Sequence, residues 1–565
     1  MSMQQMLIAM AGAGADSYWY GIYSWGSQSG NLAKNHYTFH GISNDPDNNI
    51  FIGGERTYNH QYYANTLYAK LDADGALQAQ KIFRYSTTSS SDGGGVLYQR
   101  YSNPYISSGA VQDCVWGQTR MSSAQDVYFT MNSSTLEPQA QDSVGVYNKE
   151  YSWSTFCGPP TGFKYMYNTS SQSFYQNSTP SIYRCGRDGY IGAVRFNNNC
   201  SNKSSNNGVA SRDVTPNSGG NTNSPGVYQG PTYSADHAGR QYGSPGGGGG
   251  GFASTRYRPY INGSYFTSYM RGIDYIDDGA MNGGQSGSDW LNTVANIVIT
   301  GHFSYSGYNR LYVANHSGYG QMSTVFSKYL LAHYGATSTI AGQNRCDSSY
   351  SYHCSAEGYY NSNCVGGIHK LDHSGNQQWS KVLVDNSSQS SHEFNYDFVA
   401  LQGLDIDDSG NVYVVGLSRA TSTRTVGVIA KINANGTMGW QNIFYKTSSN
   451  TNACTEFKFV RKNSMDSLVI VGFTREDTHA GYNANGTDSQ YDKGIVLKVA
   501  SDGSGTGTYG DYTYSTSTFA LITHNQSGNW TSFTHQQQSN YQNPARGWVE
   551  SYEQSASDTI STTSM

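Results

Sequence analysis

The clearest structural signal in this chain is Val412-Tyr413-Val414-Val415-Gly416, which continues after a short loop as Val428-Ile429-Ala430-Lys431-Ile432-Asn433-Ala434-Asn435-Gly436. Each half is a short apolar run that leads into a glycine. Near-copies lie at residues 50–53 with 68–75 and at residues 468–472 with 496–499. A recurring unit of this kind is one sheet that cannot bury its own faces, so neighbouring units are expected to stack.

Seven copies of the unit occur, and each is marked by an anchor glycine at the end of its first run. The anchors are Gly53, Gly117, Gly186, Gly301, Gly342, Gly416 and Gly472. Each unit reads as strand, loop, strand, Asn/Asp/Ser-Gly turn and strand, with a further hairpin before the anchor strand. Four antiparallel strands per unit predict an all-β fold, a seven-bladed β-propeller with a long loop-rich insertion.

The repeat also predicts the domain boundaries. Residues 1–15 are expected to form an apolar arm that docks on a neighbouring subunit, and residues 16–510 the propeller, with a loop insertion at about residues 197–290. Residues 511–565 are expected to form a polar C-terminal extension. A strand near residues 18–25 is predicted to close the ring by pairing with the unit around residues 472–503. The alternative is a free β-arm that pairs with another chain.

The composition favours neutral polar partners. Only 13% of the residues are charged, while 48 are Tyr and 65 are Gly, and the net charge is −5. The negative charge argues against nucleic acid as a partner. No apolar run approaches the roughly 20 residues that span a bilayer, so no membrane insertion is expected. Residues 1–15 also lack the basic start of a signal peptide.

No reactive constellation is recognised, and we expect no catalytic residue, no metal and no cofactor. Eight cysteines are too few for a disulfide scaffold. One stretch contains three cysteines and a histidine but fits no compact zinc pattern: Cys346, His353, Cys354 and Cys364. The fourteen histidines form no recognisable metal-binding pair; His36 and His40 share a strand face. Two acidic groups are interpreted as turns rather than acid–base catalysts: Asp274, Asp277 and Asp278, and Asp405, Asp407 and Asp408.

A basic residue occupies one place in five of the seven units: Lys70, Arg195, Lys370, Lys431 and Lys498. Thr130 and Val313 replace it in the other two. A residue that recurs at one place in every blade is expected to serve the repeat, here by laying a long side chain over the neighbouring blade.

Tyrosine-rich loops give the one indication of a binding surface. Tyrosine offers a flat face and a hydroxyl group at low entropic cost. Stacking on sugars and contact with other subunits are both open interpretations. The candidate contact residues are Tyr257, Tyr260, Tyr265, Tyr269, Tyr275, Tyr359 and Tyr360.

The pattern of residues 410–416, followed by residues 430–436 and Trp440, resembles the β-propeller repeat of bacterial surface proteins and of virion proteins of marine phages. Residues 3–7, which run into residues 11–15, also resemble the N-termini of tail and fibre proteins of phages that infect marine cyanobacteria. The resemblance covers residues 18 to about 510 and leaves the boundaries of the second to fifth blades open.

The resemblance implies a non-enzymatic structural component of a phage virion tail, fibre or baseplate. The implied partners are other virion proteins, bound through the N-terminal arm, and a host cell-surface polysaccharide, with a homo-oligomer in the particle. Two alternatives stay open. One is a receptor-binding module that recognises host-surface glycan through the insertion loops. The other is a propeller glycan hydrolase or lyase that uses Asp274 or Asp277.

Overall fold

The computed structural model describes residues 17–25, 35–58, 63–84, 91–102, 111–121, 125–136, 138–145, 163–164, 167–168, 173–174, 181–185, 190–195, 251–276, 297–317, 323–333, 339–359, 363–385, 399–419, 425–447, 453–475, 492–537, 552–554 and 558–565. Within these residues the chain forms 38 strands and no α-helix. None of this described part is a helix long and apolar enough to cross a membrane.

The first strands in chain order are β1 (Trp19–Trp25), β2 (Asn35–Asn44), β3 (Ile50–Tyr58), β4 (Tyr63–Leu71), β5 (Leu77–Arg84), β6 (Ser91–Ser102), β7 (Val111–Met121), β8 (Gln125–Asn132), β9 (Pro138–Gly145), β10 (Phe163–Lys164), β11 (Tyr167–Asn168), β12 (Ser173–Phe174), β13 (Ser181–Cys185) and β14 (Tyr190–Arg195). They are followed by β15 (Gly251–Ile261), β16 (Ser264–Tyr265), β17 (Ser268–Tyr275), β18 (Ile297–Tyr305), β19 (Tyr308–Ser317), β20 (Ser323–Leu331), β21 (Thr339–Cys346), β22 (Tyr350–Tyr359), β23 (Asn363–Asp372), β24 (Gln377–Val384), β25 (Val399–Ile406), β26 (Val412–Arg419), β27 (Thr425–Ile432) and β28 (Met438–Lys446). The last are β29 (Cys454–Lys462), β30 (Ser467–Arg475), β31 (Asp492–Ala500), β32 (Gly507–Tyr509), β33 (Tyr512–Thr516), β34 (Ala520–Thr523), β35 (Thr531–Ser532), β36 (Thr534–Gln537), β37 (Tyr552–Gln554) and β38 (Asp558–Ser564).

These strands form seven antiparallel sheets of four or more strands, and β11 pairs only with β12. We number the sheets along the chain as sheet 1 (β2–β5), sheet 2 (β6–β9), sheet 3 (β10 and β13–β16), sheet 4 (β17–β20), sheet 5 (β21–β24), sheet 6 (β25–β28) and sheet 7 (β29–β31 with β1). Apart from β1 in sheet 7, each sheet is thus built from strands that are consecutive or nearly consecutive in the chain.

The sheets pack in the circular order of a propeller. The first strand of a sheet lies across the strands of the sheet before it: β6 on β2–β4, β21 on β17–β19, β25 on β21–β23 and β29 on β25–β28. Strand β2 lies in the same way on β29–β31, so the first sheet meets the last one. This contact closes the order of the sheets, and the fold is a β-propeller. The described residues give seven sheets, while the number of blades in the ring stays a prediction.

The segment near residues 18–25 pairs with the last unit of the chain, as the sequence suggested. Strand β1 runs antiparallel to β31, with Trp19 opposite Lys498 and Ile22 opposite Ile495. Trp19 and Tyr23 are buried between sheets 7 and 1. The last blade is therefore completed by the N-terminal part of the chain. The expected docking arm, residues 1–15, lies outside the described residues.

The C-terminal residues are not a separate extension. Strands β33 to β38 add to the outer edges of sheets 6, 5, 4, 3, 1 and 7, in that order. We call residues 512–564 the C-terminal strap. An outer sheet edge has unpaired backbone N–H and C=O groups, and each strap strand satisfies some of them. The predicted boundary at residue 510 therefore does not separate two structural units.

Residues 251–276 also differ from the prediction, which placed them in the loop insertion. They form β15, β16 and β17, because buried side chains such as Tyr257, Met270 and Ile273 supply apolar contacts. The other expected insertion residues, 197–250 and 277–290, lie outside the described part.

Two of the recurring lysines, Lys370 and Lys498, connect neighbouring blades, as expected. Lys370 Nζ donates to the Ala434 carbonyl of the next sheet at 3.3 Å, and Lys498 Nζ donates to the Ala73 carbonyl of sheet 1 at 3.1 Å. Tryptophan indoles reinforce this contact from the neighbouring strand. Trp379 Nε1 donates to the same Ala434 carbonyl at 3.1 Å, and Trp19 Nε1 to the same Ala73 carbonyl at 3.0 Å.

Sheet 4 also uses a lysine to contact the turn of the next sheet, but this lysine lies on the neighbouring strand. Val313 stands at the lysine position, and Lys328 lies directly across from it on β20, where sheet 5 has Trp379. Lys328 Nζ donates to the Gly375 carbonyl of sheet 5 at 2.7 Å. The ammonium group is thus supplied by the adjacent strand, which explains why Val313 is tolerated in the repeat.

Candidate functional site

The structure divides the candidate tyrosines into buried and surface residues. Tyr260 and Tyr265 lie on the surface hairpin of β15 and β16. Tyr269 is half-buried and stacks on His302, with ring centroids 5.1 Å apart and planes at 8°. Tyr257 is only 4% exposed and does not offer its ring to an outside ligand, contrary to its selection as a contact residue. Tyr275 and Tyr359 lie in β17 and β22, but their side chains, like all of Tyr360, lie outside the described part.

Two adjacent hairpins form an aromatic surface. The turn Asn262–Gly263 joins β15 to β16, and the turn Ser306–Gly307 joins β18 to β19. All four turn residues have positive φ angles, between 50° and 82°, which brings the paired strands close together. We call the surface the aromatic hairpin patch; it consists of Tyr260, Asn262, Tyr265, Phe266, Tyr305 and Tyr308.

Ring contacts fix the geometry of the patch. Tyr260 and Tyr265 face each other across the hairpin at 4.9 Å, and Phe266 meets Tyr305 edge-on at 5.0 Å. Asn262 Nδ2 donates to the Tyr305 hydroxyl at 3.0 Å, which connects the two hairpins. Tyr265 is 36% exposed and Tyr308 41% exposed. Preordered rings with free faces suit stacking on a sugar or packing against a protein.

The guanidinium group of Arg310 packs against a ring of the patch. The Arg310 guanidinium lies 4.5 Å from the ring centroid of Tyr305 and 4.8 Å from that of Tyr329. Such cation–π contacts are worth about 0.5–2 kcal/mol each, depending on burial. Arg310 is only 9% exposed, so it positions the rings and is not itself presented to a partner.

The acidic residues considered for catalysis are held in a charge network between blades. Asp274 lies in strand β17 rather than in a turn, accepts a hydrogen bond from the Cys346 amide at 2.8 Å, and is 3.9 Å from Arg345. Arg345 Nε donates to Asp405 at 2.8 Å, and Arg461 lies 4.0 Å from Asp405. Burial alone lowers the pKa of Arg345, but Asp405 and Asp274 raise it above its usual value. Asp407, in contrast, is a turn residue as predicted, and accepts from the amides of Ser409 and Asn411.

A fully buried carboxylate connects the strap to sheet 5. Glu357 on β22 accepts hydrogen bonds from His369 Nε2 at 3.2 Å and from His524 Nε2 of the strap at 2.8 Å. The Ser355 hydroxyl at 2.6 Å and the His333 amide at 2.8 Å add two more donors. Burial raises the pKa of Glu357, but the neighbouring imidazoles outweigh it, so this pKa lies well below its usual range.

Glu357, His369 and His524 also form a set of possible metal ligands, with the three donor atoms within 4.8 Å of one another. The hydrogen bonds do not fit a metal ion. His524 Nδ1 accepts from the Gln526 amide at 3.0 Å, so the proton of the neutral imidazole is on Nε2, the atom that would have to bind the metal. The two imidazoles also contact different oxygens of the carboxylate. The cluster is therefore a hydrogen-bonded anchor for the strap.

A second strap histidine is buried beneath sheet 4. His535 Nδ1 and His316 Nε2 are 2.8 Å apart, and the rings of Tyr257 and Tyr312 lie 5.8 Å and 5.4 Å from the His535 ring. Burial lowers the pKa of His316 to about 3 and that of His535 well below its usual value. Burial also raises the pKa of Tyr257 to about 12.

The two buried histidine clusters were not recognised in the sequence. Their members are separated by 155 residues in one case, from His369 to His524, and by 219 in the other, from His316 to His535. A single local signal exists: Gly367 precedes His369 by two residues, and a Cβ at Gly367 would lie within 3 Å of the Glu357, Ser355 and His369 side chains. The side chains of His36 and His40 lie outside the described part.

Comparison with known proteins adds little to this description. No protein-family model and no curated protein matches the chain. Among solved structures, the chain is similar to the β-propeller domain of Nup133 from Vanderwaltozyma polyspora. The sequences are 10% identical, the match covers 85% of this chain and 98% of that domain, and the TM-score is 0.33. A similarity this weak carries no argument about function, so the fold rests on the sheet order given above.

Proposed function

We propose that this protein is a non-enzymatic structural component of a phage tail, fibre or baseplate, which contacts its partners through the aromatic hairpin patch. The observation that carries the proposal is an exposed, preordered aromatic patch on a propeller in which six of the seven described sheets have their outer edges covered by the same chain. The virion setting rests on the resemblance of the repeat and of the N-terminal residues. An N-terminal arm that docks on other virion proteins, and a homo-oligomer in the particle, belong to the same proposal.

Two physical arguments support contact through the patch. The strap pairs with the outer edges of six of the seven described sheets, so a partner cannot easily add a strand at those edges. Tyrosine is enriched at protein interfaces, where its ring is buried and its hydroxyl still finds a polar partner. The hairpins place Tyr265 and Tyr308 on the surface with their supporting rings already ordered.

The double variant Tyr265→Ser/Tyr308→Ser tests the proposal. Recombinant protein is added to particles assembled without it, and the bound fraction is measured by sedimentation and immunoblotting. We expect incorporation to fall at least tenfold for the double variant. Met465→Ser, which removes an exposed apolar side chain on sheet 7, is the control and should incorporate normally. Normal incorporation of the folded double variant would show that the patch is not the contact surface.

Recognition of a host-surface glycan is a second candidate function. Asn262 lies beside the Tyr260–Tyr265 pair, so an amide and a flat ring are available together, as sugar binding requires. Glycan-array binding by the isolated protein, lost in Tyr265→Ser, would favour this role. Incorporation into particles without any glycan binding would favour the structural role alone.

A glycan hydrolase or lyase is less well supported. Asp274 is engaged by the Cys346 amide and lies near Arg345, while Asp277 lies outside the described residues. A catalytic acid needs a raised pKa and contact with substrate. Release of reducing ends from host polysaccharide, lost in Asp277→Asn, would require us to replace the non-enzymatic proposal.

A further inference from the structure

The C-terminal strap has two kinds of buried anchor, and they respond differently to an added proton. At the first anchor, His524 contacts the carboxylate of Glu357. Negative charge there can offset the charge of a protonated imidazole. The other titratable groups that contact this anchor are His369 and Cys364 from β23 and His333, which follows β20.

At the second anchor, the Tyr257 backbone raises the pKa of His535, but burial outweighs this contribution and no carboxylate of the described residues adds to it. The titratable groups that contact His535 are His316 and Tyr312 from β19 and Tyr257 from β15. No negatively charged group among the described residues acts on either imidazole. His316 and His535 are 0% and 1% exposed, so water cannot solvate a charge there either.

The hydrogen bond between the two imidazoles holds one proton. His316 Nε2 and His535 Nδ1 are 2.8 Å apart, so one nitrogen donates and the other accepts. Thr324 donates its hydroxyl to the His535 carbonyl at 3.0 Å, which fixes the strap backbone next to the pair. If both facing nitrogens carried a proton, the two hydrogens would collide. The pair must therefore separate before both imidazoles can be protonated.

From these contacts we infer that acid releases one part of the strap. Residues 531–537 leave sheets 4 and 3 when His535 and His316 become protonated, while residues 520–526 stay bound to sheet 5. Release exposes both imidazoles to water, where histidine has a pKa of about 6.5. The released state therefore binds protons that the docked state excludes as the pH falls below that value. The equilibrium constant for release rises up to about tenfold per pH unit for each histidine that gains a proton.

Hydrogen exchange measured by mass spectrometry on the full chain tests this inference. Exchange is followed from pH 8 to pH 5 and corrected for the intrinsic pH dependence of the exchange rate. Below about pH 6.5 we expect protection of residues 531–537 to fall by more than tenfold per pH unit. Residues 412–419 and 425–432, in the interior strands of sheet 6, exchange only on global unfolding and should stay more than about tenfold better protected than residues 531–537 at every pH.

Two variants sharpen the result. His535→Asn keeps a hydrogen-bond donor near the position of Nδ1 but does not titrate, so the pH dependence should become weaker by up to about tenfold per pH unit. Lys381→Met removes a strap contact, the 3.2 Å hydrogen bond to Thr523, without changing a group that titrates in this range, so the pH dependence should persist.

Three outcomes would overturn the inference. They are protection of residues 531–537 that changes less than twofold down to pH 5.5, an unchanged pH dependence in His535→Asn, and protection of residues 531–537 equal to that of residues 412–419 and 425–432, which would mean that both exchange by global unfolding. If His535→Asn does not fold, the unmodified chain still decides, because residues 520–526 and 531–537 must lose protection at different pH values. The inference is independent of the proposed function, so particle incorporation has no bearing on it.

Discussion

Glycine recurs where the turn of one blade meets an aromatic ring of the blade before it. Gly503 has a φ angle of 79°, and a Cβ there would lie 2.5 Å from Trp440. Gly75 and Gly436 meet Trp19 and Trp379 in the same way. Both the left-handed backbone and the indole ring therefore exclude a side chain at these turns.

We expect Gly503→Ala to destabilise the protein by about 2–3 kcal/mol, since it adds strain at positive φ and a clash with Trp440. Gly505→Ala is a matched control: its φ is 81°, and no atom lies within 4 Å of the added Cβ. It should cost about 1 kcal/mol, from backbone strain alone. Urea unfolding measures both. Equal losses would show that the indole contact is unimportant.

An amide cannot make the hydrogen bonds that the buried carboxylate of Glu357 accepts. Glutamine offers one acceptor oxygen, and its amide hydrogens would face an imidazole N–H. We expect Glu357→Gln to lower the free energy of unfolding by about 3 kcal/mol or more. Asp466→Asn removes an exposed carboxylate, whose side chain is 90% exposed, from its pair with Lys462, and should cost less than about 1 kcal/mol. A similar small loss in both variants would contradict the anchor role of Glu357.

At the scale of elements, the anchor glycines have a common physical cause. The inner strand of a blade contains a β-bulge, and the bulged backbone takes the space of a side chain on the next strand. A Cβ at Gly416 would collide with the Ala400 carbonyl, and one at Gly472 with the Glu456 carbonyl. Sheet 5 departs from this pattern: Ser355 stands at the anchor position, and Gly342 lies on the inner strand β21. The anchor glycine predicted for this unit, Gly342, therefore lies one strand before the anchor position.

The strap is the element that protects the outer edges of the blades. Deletion of residues 518–565 would expose edges of sheets 5, 4, 3, 1 and 7, which strap strands cover. Exposed edges pair with other chains, so we expect concentration-dependent self-association beyond that of the full chain. Size-exclusion chromatography with light scattering measures it. Deletion of residues 558–565 alone uncovers only the edge of sheet 7 and should have a smaller effect. A truncated protein that associates no more than the full chain would contradict this role.

At the scale of the whole molecule, buried neutral histidines make stability depend on pH. Burial lowers the pKa of His302 and His316 to about 3, and those of His353 and His535 well below the usual value. Because these pKa values are lower in the folded state, only the unfolded state binds protons as the pH falls below about 6.5. The stabilisation is therefore complete above that pH and is lost on acidification.

Each such histidine should lower the free energy of unfolding by up to about 1.4 kcal/mol per pH unit below pH 6.5. Urea unfolding at pH 7.5, 6.5 and 5.5 measures the slope. Replacement of one buried histidine, as in His302→Phe, should reduce the slope of the unfolding free energy against pH by the contribution of about one proton. An unfolding free energy that stays constant over this range would contradict the neutral, buried state of these imidazoles.

The sequence determined the repeat, the propeller and the closure of the last blade, because each depends on local patterns. Alternating apolar residues, turn glycines and a lone N-terminal strand can be read without knowing which residues meet. It also indicated that the recurring lysines cross to the next blade, since a residue repeated in every unit serves the contact between units. Of the candidate tyrosines, the surface positions of Tyr260 and Tyr265 agree with their selection.

Only the tertiary structure decided the course of the strap and the composition of the buried clusters. Strap residues such as Phe519, His524 and His535 are separated by polar residues and show no strand-like alternation. Their partners lie 100 or more residues away in most cases, as between His524 and Glu357. Backbone pairing along a sheet edge requires no particular side chain, so it leaves little trace in the sequence. The polar C-terminal residues form the outermost strands of the sheets because of long-range contacts, and their residue types do not indicate this position.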